Sequence, residues 1–288
     1  MAYTPYAGEL HPVHERIPNA HTEDRDVDRH LRFATELLGV HLPPGATILD
    51  FGCGIGASVG AMLARGYDAF GVDVREYWGR DFDRYWLEAE KPPAEITGRL
   101  RVADPSNYQL PFDDRTFDFC FSDQVFEHVF DYPTIMSEIV RVLKPGALSI
   151  HNFPGPNNFM EGHVRLPFPW LCYSRSYLTL CALIARAPDV RAQVDGWTEL
   201  MRFNNYPTKA KLRRVAKSIG VSVQFVEVDA FLFREGSPLK STILKNLRAI
   251  KMDRLVVRVV GMMMLQRYMV LKARTSERTT ELARCNSR

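Results

Sequence analysis

The stretch from Ala46 to Leu63, ATILDFGCGIGASVGAML, constrains the fold more than any other part of the chain. It reads as a short buried strand, a turn with glycines at alternate positions and the start of a helix. Glycines there permit a tight turn, close approach of the backbone to a ligand and close packing of helix on strand. Unpaired N–H groups at the helix start favour a negatively charged group. The stretch therefore predicts an α/β unit that binds a nucleotide-like cofactor.

The glycines alone leave the cofactor open, because Gly52, Gly54 and Ala57 also fit the dinucleotide fingerprint G-x-G-x-x-G/A. A second predicted strand, Ala69 to Val74, ends near Asp73. An acidic side chain there can accept hydrogen bonds from both ribose hydroxyls, in NAD enzymes and in adenosylmethionine enzymes alike. Asp73 therefore indicates an adenosine without choosing between these two cofactors.

The next predicted elements decide the class. A third strand covers residues 101–105, a fourth runs from Thr116 to Ser122, and a helix from Thr134 to Leu143 leads into a fifth, ALSIHNF. With the patterns LDFGCGIG, GVDV, LPFDDRTFDFCFSDQVFEHV and EIVRVLKPGA, residues 45–152 resemble the class I S-adenosylmethionine-dependent methyltransferases, in particular the methyltransferase type 11-like subgroup. The resemblance implies an α/β fold: a Rossmann-like, doubly wound, seven-stranded, mostly parallel sheet with a helical cap insertion.

Two other classes stay open. An NAD(P)-dependent oxidoreductase would share Gly52, Gly54 and Asp73 but is not expected to carry SDQVFEHV and VLKPGA. A non-catalytic cofactor-binding protein would keep the fold for assembly, and an intact Asp50, Gly54 and Asp73 argue against it.

The resemblance also implies which residues hold S-adenosylmethionine, with S-adenosylhomocysteine as product. Asp104 occupies the family's position for a contact to the adenine amino group, although Asp before Pro105 and Ser106 is also ordinary turn chemistry. Tyr77 or Trp78 is a candidate cover for the adenine face. The residues implied for cofactor binding are Asp50, Gly52, Cys53, Gly54, Gly56, Asp73, Val74, Ala103, Asp104, Pro105, Ser122, Asp123 and Gln124.

His128 is a candidate base because it follows the fourth strand, where the methionine end of the cofactor is expected. Transfer of a methyl group to oxygen requires alignment of the reactants and removal of one proton, which a histidine can accept. Relatives carry the Glu127-His128 pair regardless of substrate, so a packing role for His128 is equally open.

The loop after the fifth strand holds the other catalytic candidates. If Glu161 to Arg165 were extended, Glu161, His163 and Arg165 would point to one side and combine an acid, a base and an anion binder. We predict His163 or His151 as base and Arg165 as the residue that orients the acceptor. A proline-braced loop whose charges pair with each other is the alternative.

The chain is predicted to divide into an N-terminal part, residues 1–44, and a methyltransferase domain, residues 45–288. The N-terminal part ends in a helix from Asp24 to Gly39. Such a segment often covers the cofactor as a lid in related folds, and that alternative stays open. Residues 155–206 interrupt the passage from the fifth strand to the next helix, so we predict an acceptor-binding cap there. The later elements are expected at Tyr173 to Ala187, Asp195 to Asn205, Thr208 to Ile219, Val221 to Val228 and Arg267 to Ala273.

Composition excludes some partners. A net charge of +3 is too mild to indicate nucleic acid, which normally requires a clustered basic face. Five cysteines without metal spacing, together with no secretory signal pattern, predict a reducing, cytoplasmic location. No metal is expected, because no further ligands stand at metal spacing from the histidines His11, His14 and His21 or from the Asp113-Asp114 pair.

The longest apolar stretch, Leu255 to Leu271, carries Arg258, Gly261, Gln266 and Arg267 and falls short of a membrane-spanning helix. We interpret it as a core helix followed by the final strand. An interfacial helix is the alternative, because six basic residues from Lys240 to Arg258 precede or enter the apolar part. Stable membrane insertion is not expected, peripheral association stays open, and the sequence does not indicate an oligomeric state.

The function these patterns predict is S-adenosylmethionine-dependent methylation of a small polar acceptor, at oxygen. A sugar or glycan intermediate or a secondary metabolite would fit. Methylation at nitrogen or carbon is the alternative, since nothing in the sequence fixes the acceptor.

Overall fold

The computed structural model describes residues 27–76, 93–156, 158, 160–233, 238–264 and 267–273. Several predictions fall on residues outside these ranges. They are the lid formed by the first residues of the chain, the histidines His11, His14 and His21, and the aromatic pair Tyr77 and Trp78.

Seven strands form one sheet, with the order β3-β2-β1-β4-β5-β7-β6. Strand β7 pairs antiparallel with β5 and β6, and the other pairings are parallel. The predicted fold class, a doubly wound and mostly parallel seven-stranded sheet, is confirmed. The strands are β1 Thr47–Phe51, β2 Asp68–Asp73, β3 Leu100–Val102, β4 Phe117–Asp123, β5 Leu143–Phe153, β6 Ser222–Phe225 and β7 Arg267–Lys272.

Helices cover both faces of the sheet, and several begin where a short polar side chain accepts a backbone N–H of the first turn. Asp131, Ser174, Asp189 and Thr208 act in this way. The helices are α1 at residues 27–38, α2 Ala57–Leu63, α3 Pro93–Thr97, α4 Tyr132–Val142, α5 Arg175–Ile184, α6 Val190–Arg202, α7 Lys209–Ser218, α8 Glu227–Phe233, α9 Pro238–Ala249 and α10 Asp253–Met264.

Two apolar clusters lie on opposite faces of the sheet because successive strand residues point to opposite sides. Ile48 and Tyr268 belong to the cluster that includes α1 and α2. Their chain neighbours Leu49 and Met269 belong to the cluster that includes α4 and α7. Burial on both faces explains why β1 and β4 are nearly continuous apolar runs, as expected for a parallel sheet.

Residues 155–206, predicted as an acceptor-binding cap, contain α5 and α6. These helices pack around an apolar cluster of their own, which includes Val164, Leu178, Val194 and Met201. A separate cluster lets this segment pack as a unit beside the sheet, while its role as an acceptor cap stays a prediction.

The predicted sixth strand, Val221 to Val228, is too long. Strand β6 ends at Phe225, and the N–H of Val226 still donates to the carbonyl of Tyr268 at 3.0 Å. Glu227 then begins α8. Downstream, the helix and final strand expected between Leu255 and Ala273 are present as α10 and β7, but α10 is not a core helix throughout: Val257 is buried, whereas Leu255 and Val259 are exposed. Within the described residues no helix has the length and apolar character needed to cross a bilayer.

Candidate active site

The glycine turn between β1 and α2 adopts a backbone that requires glycine. Gly52, Gly54 and Gly56 have φ values of 82°, 52° and 80°, in the left-handed region. A Cβ on Gly52 would also lie 2.2 Å from Cγ2 of Val125, so the missing side chain lets the segment after β4 approach this turn. The turn is therefore packed directly against the chain that leads to Glu127 and His128.

Backbone N–H groups of the glycine turn are already bonded within the protein. Gly52 and Cys53 both donate to the carbonyl of Val72, at 2.8 and 3.1 Å. Gly54 donates to Oδ2 of Asp73 at 2.9 Å, and Gly56 donates to the carbonyl of Cys53 at 2.8 Å. The turn is thus tied to the end of β2.

Asp73 fits the ribose-binding role implied by the resemblance. Its Oδ2 accepts from Gly54 and its Oδ1 accepts from the N–H of Val74 at 2.7 Å. Burial raises the pKa of Asp73 to about 6, although these backbone donors act in the opposite direction. A third backbone donor, the N–H of Arg75, also bonds this carboxylate, so of its roughly four acceptor positions one is left for a ribose hydroxyl.

Asp50 and Cys53 belong to the wall of this turn, since both residues are buried. Burial, followed by the charges of Asp73 and Asp50, raises the pKa of the Cys53 thiol well above its usual value. A neutral thiol beside two carboxyl groups suits a packing position, and the predicted cofactor contact of Cys53 stays a prediction.

Asp104 makes the ordinary turn contacts that are the alternative to its cofactor role. Its carboxylate accepts from the N–H of Ser106 at 2.8 Å and from Nδ2 of Asn107 at 3.3 Å. The hydrogen bonds from Ser106 lower the pKa of Asp104. Just before it, Ala103 donates its N–H to the carbonyl of Asp73 at 2.8 Å, which joins this turn to the ribose-binding position. The predicted contact of Ala103, Asp104 and Pro105 with adenine stays a prediction.

Asp123, at the end of β4, connects three separate parts of the chain. Oδ2 accepts from Nη2 of Arg29 at 2.5 Å and lies 3.4 Å from Nε2 of His30, while Oδ1 accepts from Nδ2 of Asn152 at 2.6 Å. Burial by itself would raise the pKa of Asp123, but His30, Arg29 and Asn152 outweigh it and lower the pKa. A stable negative charge is therefore held at the carboxyl edge of the sheet.

Gln124 follows with a left-handed backbone, φ 57°, which is uncommon for a side chain of this type. Its N–H donates to the carbonyl of Asn152 at 2.8 Å, so the turn after β4 is anchored on the end of β5. Strained backbone of this kind is found disproportionately at functional sites. The geometry is compatible with the implied role of Gln124 near the cofactor, which stays a prediction.

His151 cannot act as the base, which corrects one of our two predictions for that role. The residue is completely buried, Nδ1 is 2.8 Å from Oγ of Ser122, and Nε2 is 2.8 Å from Oγ of Ser149. Its ring packs on Phe126 at a centroid distance of 4.5 Å. Burial lowers the pKa of His151 to about 3, so the imidazole stays neutral inside the sheet. Ser122 shares this buried position, and its contact with the cofactor stays a prediction.

Residues 161–165 are not extended, so the premise that Glu161, His163 and Arg165 point to one side is wrong. The N–H of Glu161 donates to the carbonyl of Leu166 at 2.8 Å, and Arg165 has a φ of 54°. The carboxylate of Glu161 closes this turn by accepting the N–H groups of His163 and Val164 at 2.7 and 2.6 Å. Glu161 is buried, whereas Arg165 is exposed. The role of Arg165 in orienting an acceptor stays a prediction.

The turn nevertheless brings the imidazole of His163 into hydrogen-bonding distance of the carboxylate of Glu161. Nδ1 of His163 lies 2.9 Å from Oε1 of Glu161, and the hydroxyl of Tyr206 and Nδ2 of Asn204 also donate to that oxygen. Burial alone would raise the pKa of Glu161, but bonds from His163, Tyr206 and the Val164 N–H outweigh it and lower the pKa. The result is an ionised carboxylate that holds an imidazole.

His128 completes this group from the sheet side. Its ring meets that of His163 nearly at a right angle, 80°, with centroids 5.1 Å apart. Nδ1 of His128 is 3.0 Å from the carbonyl oxygen of Phe203. Two of the four predicted catalytic residues therefore meet at one place, where the turn after β4 touches residues 161–206. We call Glu161, His163, His128 and Tyr206 the histidine cluster.

Several residues of the site had no local signal in the sequence. Tyr206 and Asn204 follow α6 and reach Glu161 only through the fold. Arg29 and His30 lie in a helix that was recognised by its apolar stripe, and their partner Asp123 is remote in sequence. Among the described residues, no three His, Cys, Asp or Glu side chains are placed to share a metal ion.

Comparison with known proteins finds similar methyltransferases. Residues 49–150 match the family model described as a methyltransferase domain. The 24-methylenesterol C-methyltransferase 3 of Arabidopsis thaliana is 33% identical over 129 residues, which cover 44% of this chain and 34% of that protein. The demethylmenaquinone methyltransferase of Bacillus licheniformis is 30% identical over 141 residues, which cover 48% of this chain and 59% of that protein.

Among solved structures, a methyltransferase from Methanosarcina mazei aligns with a TM-score of 0.47 and 19% identity, over 83% of this chain and 98% of that one. This chain spans 34% and 59% of the length of the two curated relatives named above.

Residues 49–150 therefore match the methyltransferase domain family model, and the strand order and the glycine turn are those that the resemblance to class I methyltransferases predicts. This family model is the one that the sequence patterns indicated. The predicted resemblance is confirmed.

Proposed function

We propose that the protein transfers a methyl group from S-adenosylmethionine to a small-molecule acceptor, with oxygen of a polar acceptor as the first candidate. A sugar or glycan intermediate or a secondary metabolite would provide such an oxygen. The observation that carries the proposal is the histidine cluster at the carboxyl edge of β4, beside a glycine turn with the features of a cofactor site. The cytoplasmic location likewise stays a proposal.

The residues of the cofactor site fit the group that the family implies. Asp73 keeps an acceptor position for a ribose hydroxyl, Gly54 faces open space, and Asp123 is an ionised carboxylate at the end of β4. When bound, S-adenosylmethionine supplies an electrophilic methyl group on a cationic sulfonium. The protein must then bind and orient an acceptor and take up its proton.

His163 is arranged to take up that proton. An ionised carboxylate can only accept, so Nδ1 of His163 carries the hydrogen that lies on Oε1 of Glu161. In the neutral imidazole this leaves Nε2 with the lone pair. Glu161 also stabilises the imidazolium that proton uptake would form, as carboxylates behind catalytic histidines do. The pair therefore has the composition of a general base with its orienting acid.

His128 has the same tautomer as His163. The carbonyl of Phe203 can only accept, so Nδ1 of His128 carries the hydrogen and Nε2 has the lone pair. With its ring 5.1 Å from that of His163, His128 is placed to bind the same acceptor or to relay its proton. We assign His163 as base and His128 as its partner.

Methylation at carbon is the alternative, and the names of the relatives favour it. They include a sterol C-methyltransferase and a demethylmenaquinone methyltransferase, and both protein names point to lipophilic acceptors. Proton removal is also required after attack by carbon, so the histidine cluster serves either reaction. The atom that carries the new methyl group in the product distinguishes the two.

The test measures release of S-adenosylhomocysteine with phenolic, sugar, sterol and quinol acceptors, and compares His163→Ala and Glu161→Gln with His41→Ala. His41 is exposed and serves as a matched histidine control. Loss of a general base typically costs about 100-fold or more in turnover. We expect that loss for His163→Ala, a smaller one for Glu161→Gln, and parent activity for His41→Ala.

Cofactor affinity separates the two parts of the proposal. Titration calorimetry with S-adenosylhomocysteine should give equal Kd values for the parent and for His163→Ala, because His163 is assigned to the acceptor. Unchanged turnover in His163→Ala would remove the assigned base. Thermal stabilisation by NADH and not by the adenosyl ligands would contradict the methyltransferase function itself, since saturating ligand should add about 2.7 kcal/mol at a hundredfold its Kd.

A further inference from the structure

A helical insertion separates β6 from β7. These strands are antiparallel neighbours, which a short hairpin can join. Instead, three helices, α8, α9 and α10, lie between them. Because β6 runs parallel to β1–β5, its end at Phe225 lies at the carboxyl edge of the sheet, the edge that also carries Asp73 and Asp123. The insertion therefore begins and ends on the side of the candidate active site.

Helix α10 is apolar on the side that faces away from the protein. Val257 is buried, while Leu255, about 200° away around the helix, is 53% exposed. Met252 and Val259 lie on the same side as Leu255, at helical spacing, and are 39% and 53% exposed. In the preceding segment, Ile243 and Ile250 are 49% and 66% exposed. Large aliphatic side chains in such a row are not needed for the core.

Basic side chains accompany this apolar row. Lys245, Arg248, Lys251, Arg254 and Arg258 are all exposed, and Asp253 is the one acidic residue between positions 243 and 259. Arg248 lies 3.6 Å from Asp253, and Arg254 pairs with Asp229. Among the described residues no ion pair is found for Lys245, Lys251 or Arg258. On α10 the basic positions are offset by one residue from the apolar ones, so the two rows run side by side.

We propose that this surface docks on an anionic lipid bilayer. The name "α9–α10 face" is used here for Ile243, Ile250, Met252, Leu255 and Val259 with Lys245, Lys251 and Arg258. Aliphatic side chains beside lysines and arginines are the pattern of helices that lie in a membrane interface, where the apolar row enters the acyl boundary and the cations meet anionic headgroups. The proposal does not rest on the identity of the methyl acceptor.

A protein partner fits the α9–α10 face less well. Protein interfaces are enriched in aromatic residues and depleted of lysine, whereas positions 238–259 contain no aromatic residue and three lysines. The positive charge of this face is complementary to an anionic surface.

The test is co-sedimentation of the full chain with vesicles of phosphatidylcholine alone and of an equal-part mixture with phosphatidylglycerol. We expect at least tenfold stronger binding to the mixture, and a clear loss of binding between about 0.1 M and about 1 M salt, where the Debye length falls from about 10 to 3 Å. Replacing Lys251 and Arg258 with Gln should weaken binding by about fivefold for each charge.

The apolar row is tested by the double variant Leu255→Glu/Val259→Glu. Its matched control is Leu183→Glu/Ile184→Glu on α5, where both side chains are also exposed and aliphatic. We expect the first variant to lose vesicle binding at least tenfold and the control to keep it. Equal binding to both vesicle types, no binding, or loss in the control alone would overturn the proposal. So would a drop in oligomer mass in the first variant, since light scattering would then identify the face as a contact between copies.

Discussion

Replacement of Gly52 by alanine tests how the glycine turn is built. Gly52 and Gly66 share a φ of 82°, so alanine is strained by a similar amount at both positions. Their surroundings differ: a Cβ at Gly52 would lie 2.2 and 2.9 Å from the two Cγ atoms of Val125, whereas a Cβ at Gly66 would have no atom within 4 Å. Gly66→Ala is therefore a control that isolates the backbone strain from the steric clash.

The two costs can be separated in magnitude. A left-handed backbone costs an L-residue about 1–2 kcal/mol, which is the loss expected for Gly66→Ala. Overpacking adds about 1–3 kcal/mol, so Gly52→Ala should lose about 2–5 kcal/mol. Removing both Cγ atoms with Val125→Ala should recover the overpacking cost, which a double-mutant cycle measures as a coupling energy of about 1–3 kcal/mol.

Urea unfolding followed by circular dichroism measures the free energy of unfolding of the four variants and the parent. Because about 1 kcal/mol shifts Tm by about 2–4 °C in a domain of this size, thermal scans give an independent reading. Equal losses for Gly52→Ala and Gly66→Ala, with no coupling to Val125, would refute the claim that the turn and the segment after β4 pack through the missing side chain.

Two further predictions concern pH. Affinity for S-adenosylhomocysteine should rise as pH increases through about 6, because burial raises the pKa of Asp73 to about 6 and the ionised carboxylate is the better acceptor. Calorimetry at several pH values checks this, and the dependence should disappear in Asp73→Asn. Burial also raises the pKa of Glu127 well above its usual value, so the folded protein keeps a proton that the unfolded chain releases above about pH 4.3. Stability should then fall as pH rises above that value, and Glu127→Gln should reduce the fall in urea unfolding; an unchanged slope would contradict the reasoning.

The sheet was predictable because its signals are local. Each of β1, β2 and β4 is an apolar run with an aspartate, Asp50, Asp73 or Asp123, as its last or next-to-last residue, and strands buried on both faces produce such runs. The end of β6 was not predictable in this way, because the alternation VSVQFVEV continues past Phe225. Glu227 leaves the strand instead and pairs with Lys209 at 3.1 Å, a partner supplied by another helix.

The candidate site was predictable in part. His128 and His163 were recognised from their positions after β4 and β5, but their meeting depends on a turn that the spacing did not indicate. Glutamate rarely closes a turn through its own side chain, and Glu161 does so here by accepting two backbone N–H groups. The prediction that His151 is a base was wrong because strand alternation does not indicate that Phe126 and two serines surround its ring.

The structure also bears on the choice between cofactors that the glycines left open. A dinucleotide site uses free backbone N–H groups of the glycine turn and helix start to bind pyrophosphate. Here the N–H groups of Gly52, Gly54 and Gly56 donate to protein acceptors, and one of these is the carboxylate of Asp73. At the neighbouring strand end, Asp123 carries a negative charge stabilised by Arg29 and His30. Because the N–H groups of the glycine turn are already bonded, the turn is less suited to an anionic pyrophosphate than a dinucleotide site would be, which agrees with an adenosylmethionine site.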